Sequence, residues 1–71
     1  MSDIGVIGAG AWGTALAAAM ARHGNRVTLW AREAEVVTAV NGAHENPLFL
    51  PGIPLDPAIV ATDDLAQMAA L

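Results

Sequence analysis

The sequence predicts an α/β fold built on a doubly wound parallel sheet, on three observations. A glycine turn, Gly8-Ala9-Gly10-Ala11-Trp12-Gly13, stands between a short apolar run and a long alanine-rich stretch. A second, β-rich run from Arg26 to Trp30 follows after the turn-forming pair Gly24-Asn25. Hydrophobic residues make up 55% of the chain and charged residues only 14%, which suits parallel strands covered by helices better than a free-standing mini-protein. The expected product is three strands in the order 3-2-1 with about three helices, the N-terminal part of a larger domain.

The elements follow in order. Ile4, Val6 and Ile7 form an apolar run suited to a first strand buried on both faces, and the glycine turn after it decides for strand over helix. Ala11 to His23 reads as helix: Ala and Leu favour it, Arg22 and His23 suit the negative end of its dipole, and Gly24 stops it. Leu16 and Met20, four apart, are expected on the face turned to the sheet. Arg26 to Trp30 is the second strand. Glu33 and Glu35 then open a second helix whose Val36, Val37 and Val40 share a face, and Asn41-Gly42 is expected to end it.

Residues 44–57 hold all four prolines together with Gly52, which excludes regular helix and central strand. The apolar Leu48, Phe49, Leu50, Ile53 and Leu55 imply that this stiff loop packs on something. Ala58 to Ala61 reads as a third short strand, and Asp63 to Leu71 as a helix capped by Thr62 or Asp63. Neither a repeat nor an internal domain boundary interrupts the 71 residues.

Composition narrows the function classes. A formal net charge of −4, with three arginines and no lysine, provides no basic patch for a nucleic-acid backbone or an anionic membrane. No apolar run approaches the roughly 20 residues that cross a bilayer, and an acidic, glycine-interrupted N-terminus does not resemble a secretory signal, so a cytoplasmic setting is expected. Without cysteine there is neither a disulfide framework nor a thiolate metal ligand.

The glycine turn carries the chemistry. In a strand-turn-helix setting, Gly8 closes the turn, Gly10 admits backbone close to a pyrophosphate, and Gly13 lets the helix pack tightly on the sheet. The helix start adds unpaired N–H groups and the positive end of its dipole, so phosphate binding needs no cationic side chain.

Three stretches together resemble the N-terminus of bacterial NAD(P)-dependent glycerol-3-phosphate dehydrogenase. They are Gly8 to Ala17 with Trp12 inside the turn, Val27-Thr28-Leu29-Trp30-Ala31-Arg32, and Asn41 followed by His44-Glu45-Asn46-Pro47 and Leu50-Pro51-Gly52. The resemblance spans essentially the whole chain. It implies a partial Rossmann-like sheet, with the catalytic lysines and a helical substrate domain beyond residue 71, so no catalytic or metal-binding residue is assigned here.

By the same resemblance, Gly8, Gly10, Ala11, Trp12, Gly13, Arg32 and Phe49 belong to the cofactor site. Trp12 would offer its backbone N–H to the pyrophosphate and its indole to the adjoining part of the cofactor. Arg32 also stands on position: it lies 19 residues past Gly13, in the slot about 20 residues on where an acidic residue holds the ribose 2′-OH of NAD and an arginine takes the 2′-phosphate of NADP. NADP is therefore the expected preference, with NAD also accepted through the adjacent Glu33. The parent is expected to be a homodimer that reduces dihydroxyacetone phosphate to sn-glycerol 3-phosphate, a phospholipid precursor.

Plainer roles cover the rest. Trp30 is expected to pack at the sheet end, His23 to sit at a helix C-terminus, His44 and Glu45 to build the loop, and Asp63 and Asp64 to charge a helix start. Two alternatives stand beside the leading reading: another nucleotide-dependent dehydrogenase, such as a 6-phosphogluconate-like or ketopantoate-reductase-like enzyme, and an isolated nucleotide-binding fragment without activity. Such a fragment should be weakly stable and prone to associate through the first strand's open edge.

Overall fold

The computed structural model describes residues 2–69. Strand β1 (Asp3–Ile7), helix α1 (Ala11–Arg22), strand β2 (Arg26–Trp30), helix α2 (Ala34–Ala43), strand β3 (Ile59–Thr62) and helix α3 (Leu65–Ala69) follow one another. All strands are parallel in the order β1-β2-β3, with β2 central, which is the expected half of a doubly wound sheet.

Register fixes two faces. Ile4, Val27 and Ile59 align in one row and Val6, Leu29 and Ala61 in another, and these rows meet Ala17 and Ala21 of α1 and Val36 and Val40 of α2 in a single core. Between them lie Gly5, Thr28 and Val60, then Ile7, Trp30 and Thr62, which point the opposite way. Ile7 and Val60 on that second face are 67% and 53% exposed. The expectation of a first strand buried on both faces is therefore wrong. Both crossovers step in the same direction along the sheet, and right-handed connections then place α1 and α2 on one face.

The fully buried stripe of α1 is Thr14, Ala17 and Ala21; Met20 packs partly buried against the core, as expected, while Leu16 is partly buried beside β1. α1 closes at Arg22, with His23 as its C-cap and Gly24 at φ +87°, the left-handed residue expected of a helix stop.

Helix α2 runs through Asn41-Gly42 instead of ending there, and reaches a left-handed cap at His44. Asn41 is committed elsewhere: its Oδ1 accepts the Ala61 N–H at 2.8 Å and its Nδ2 donates to the Ala61 carbonyl at 2.9 Å. That clasp ties α2 to the free edge of β3. β3 starts one residue later than expected, at Ile59, because Asp56 holds Ala58 in a turn through its Oδ1. α3 is capped by Asp64, whose Oδ1 accepts the Ala66 N–H, and not by Thr62 or Asp63; Thr62 instead receives the Asp64 N–H. The expected extension of this helix to residues 70 and 71 lies outside the described residues. Among the described residues, no helix is long and apolar enough to cross a membrane.

Candidate dinucleotide site

The site forms where β1 hands over to α1. Gly8 takes φ +107°, a backbone region that side chains rarely adopt, and its N–H donates to the Trp30 carbonyl at 3.0 Å, so the turn leaves β1 stitched to the end of β2. Gly10 is the N-cap of α1, in extended conformation, with no protein atom within 4 Å of where a Cβ would stand. Gly13 is the reverse case. A Cβ there would overlap the Gly8 carbonyl oxygen and lie 3.2 Å from its carbon. Gly13 therefore allows the helix to touch the turn, and Gly10 leaves room for something else.

Helix α1 begins without protein help. Its first backbone bond runs from the Thr14 N–H to the Gly10 carbonyl at 2.9 Å, and no side chain caps Gly10. The N–H groups ahead of Thr14 are the orphan donors of a helix start, and no acidic side chain occupies the first turn. Donors, dipole and open backbone thus converge on one surface, which fits an anionic diphosphate.

Asn46 supports this surface from the proline loop. It is fully buried, and its Nδ2 donates to the Ala9 carbonyl and to Thr14 Oγ1, each at 2.8 Å. Thr14 Oγ1 donates in turn to the same Ala9 carbonyl at 3.2 Å. On its other side Asn46 organises the loop: Oδ1 accepts the Phe49 N–H at 3.2 Å and the backbone carbonyl accepts the Leu50 N–H at 2.9 Å. Neither Asn46 nor Thr14 was among the expected site residues. The available signal was a polar Asn inside an apolar, proline-stiffened loop that has to pack.

The other expected residues are placed as follows. Ala11 and Trp12 open α1 and are exposed, Trp12 by 80%. Arg32 is exposed one residue past Ala31, whose N–H is bonded to the Thr62 carbonyl, so Arg32 leaves the sheet at the C-terminal end of β2 beside the glycine turn. Phe49 is 39% exposed, on the loop that Asn46 fastens to the turn. His44 and Glu45 serve the loop: the His44 carbonyl accepts the Leu55 N–H at 2.7 Å, and Glu45 Oε2 accepts the Gly52 N–H at 3.0 Å. Among the described residues, no group of three or more His, Asp or Glu side chains is arranged to hold a metal ion.

Two parallel strands joined through a glycine turn that closes on its own helix have the form of a dinucleotide-binding βαβ unit. Residues 3–71 match the model of the NAD-dependent glycerol-3-phosphate dehydrogenase N-terminus, and the chain belongs to that family. It is 66% identical over 67 residues to glycerol-3-phosphate dehydrogenase (NAD(P)+) of Rhodospirillum rubrum, covering 94% of this chain and 19% of that protein. The corresponding enzyme of Caulobacter vibrioides is 64% identical over 66 residues, covering 93% of this chain and 20% of its own length. Among solved structures, glycerol-3-phosphate dehydrogenase from Coxiella burnetii superposes with a TM-score of 0.83 at 38% identity, over 92% of this chain and 20% of that one. The chain thus spans about a fifth of the length of the relatives it matches.

Proposed function

We propose that this chain is the cofactor-binding segment of an enzyme that reduces dihydroxyacetone phosphate to sn-glycerol 3-phosphate, a precursor of glycerophospholipids, in the cytoplasm. The observation that carries the reading is the pairing of an uncapped α1 start with the open space at Gly10, a cradle shaped for the pyrophosphate of a dinucleotide. When bound, the nicotinamide supplies hydride; this chain's residues bind and orient the cofactor.

Gly8 and Gly13 fix the turn, and Gly10, Ala11 and Trp12 present their N–H groups to the pyrophosphate. The exposed Trp12 indole and Phe49 flank the cofactor. Arg32 receives the 2′-phosphate through its guanidinium fork, giving NADPH preference over NADH. The phosphorylated substrate and the catalytic lysines belong to parts of the parent homodimer outside this chain, which has no lysine.

The test is an assay of the full-length enzyme carrying this segment, with dihydroxyacetone phosphate and either NADPH or NADH, following loss of the reduced nicotinamide. Faster turnover per unit concentration of NADPH supports the whole reading. Equal use of both cofactors removes the Arg32 preference, and inactivity toward dihydroxyacetone phosphate alongside activity on another carbonyl substrate removes the substrate assignment.

A further inference from the structure

We infer that Asn46 is a positioning residue for the dinucleotide: together with Thr14 it clamps the Ala9–Gly10 peptide so that the Gly10 N–H faces the pyrophosphate. The inference rests on the binding role proposed above and adds the residue that aims the donor.

A trans peptide holds its C=O and N–H on opposite sides of the chain. The Ala9 carbonyl accepts two hydrogen bonds from inside the protein, one from Asn46 Nδ2 at 2.8 Å and one from Thr14 Oγ1 at 3.2 Å. With the carbonyl pinned inward, the Gly10 N–H is turned to the opposite side of the peptide, and separately nothing lies within 4 Å of a Cβ built at Gly10. Glycines flank Ala9 on both sides and supply little resistance of their own to rotation of this peptide. The orientation that an anion needs is therefore imposed by a side chain 37 residues away in sequence.

Each polar atom of the Asn46 amide is used. One Nδ2 hydrogen serves Ala9, the other serves Thr14, and Oδ1 takes the Phe49 N–H. The clamp thus also sets where Phe49 stands relative to the glycine turn. Asn46 touches no part of the proposed cofactor; it acts through the Ala9 carbonyl and through Phe49.

The test measures binding to the full-length enzyme carrying this segment, by titration calorimetry, with NADPH and separately with adenosine 2′-monophosphate, which engages Arg32 and has no pyrophosphate. Asn46→Ala is expected to weaken NADPH about 10-fold while changing the monophosphate by less than about 2-fold, as loss of one buried, correctly aimed donor predicts. Thr14→Val, nearly isosteric, is expected to weaken NADPH about 3-fold, and Thr14→Ser to restore it. Hydrogen exchange of the Gly10 amide without ligand is expected to change in Asn46→Ala while amides of β2 do not.

Equal NADPH binding by Asn46→Ala and the parent enzyme overturns the clamp alone. A parallel loss of both ligands overturns it in favour of a general packing role. Should Asn46→Ala fail to fold, Thr14→Val decides, and unchanged NADPH binding there overturns the clamp. A folded parent enzyme that binds neither ligand overturns the binding reading itself, and the clamp with it.

Discussion

The β1–α1 unit has two sides built to opposite standards. At the turn, Gly8, Gly13, Thr14 and Asn46 interlock so closely that one added methyl at Gly13 collides with backbone. Along the flank, Ile4, Val6, Ile7, Leu16 and Met20, with Trp12 and Gly13 at the turn end, line an open groove of about 340 Å³, and among the described residues no strand pairs with the outer edge of β1. The turn's contacts are made within this chain, whereas the flank presents apolar surface that the described residues leave open. On the reading proposed above, the diphosphate sits over Gly10 at the open start of α1 and not on the apolar floor of the groove, which reaches the turn only through Trp12 and Gly13.

Four substitutions sharpen or break that contrast. Gly13→Ala carries the largest expected effect. With backbone as the obstacle, α1 must leave the turn, costing at least about 3 kcal/mol, and a thermal melt should show a strongly lowered or absent transition together with lost NADPH binding. A cooperative melt near that of the parent chain would show that the turn is looser than described.

Gly10→Ala separates binding from folding. The backbone there is extended and the Cβ meets nothing, so stability should stay within about 1 kcal/mol, while NADPH affinity falls at least about 10-fold because the methyl stands where the diphosphate approaches. Unimpaired titration with NADPH would mean that ligand does not come to this space. Arg32→Ala comes next: NADPH should weaken about 10-fold for the lost charged hydrogen bonds and NADH should hold within about 2-fold, as parallel titrations would register. Equal losses for the two cofactors would remove Arg32 from the 2′-phosphate.

Ile7→Lys, on the bare sheet face, has the smallest expected effect on the fold, within about 0.5 kcal/mol. It should reduce concentration-dependent association in sedimentation, since it places charge beside the open edge. Unchanged association would place the self-contact elsewhere on the molecule. The exposed Arg26–Asp3 pair, at 3.0 Å, is worth no more than about 1 kcal/mol and distinguishes neither side.

What could be read from the sequence follows the same division. The glycine turn and β2 were legible because their residues carry local meaning: a left-handed Gly8, a Cβ-free Gly13 and a β-branched run between turn signals need no tertiary context. Asn41-Gly42 was misread because the same pair suits a helix stop, and only contact with Ala61, 20 residues on, commits Asn41 to a clasp on β3. The inward face expected for Leu16 and Met20 holds for Met20, which packs against the core, but the fully buried positions of α1 go to the small Thr14, Ala17 and Ala21. For Asn46 the sequence signals only a polar residue in a packed loop, and its partners were illegible for a stronger reason. Two of its partners, Ala9 and Thr14, lie 37 and 32 residues away, in a turn that meets the proline loop only after the sheet has formed.

The most direct test is a titration of the chain with NADPH followed residue by residue through backbone amide NMR shifts. Saturable shifts with one dissociation constant at Gly8, Gly10, Ala11, Trp12, Gly13 and Arg32, with Ile4 and Met20 unmoved, are the predicted result. Shifts confined to the flank groove, or none in a chain that remains folded, would contradict the assignment of the dinucleotide to the glycine turn.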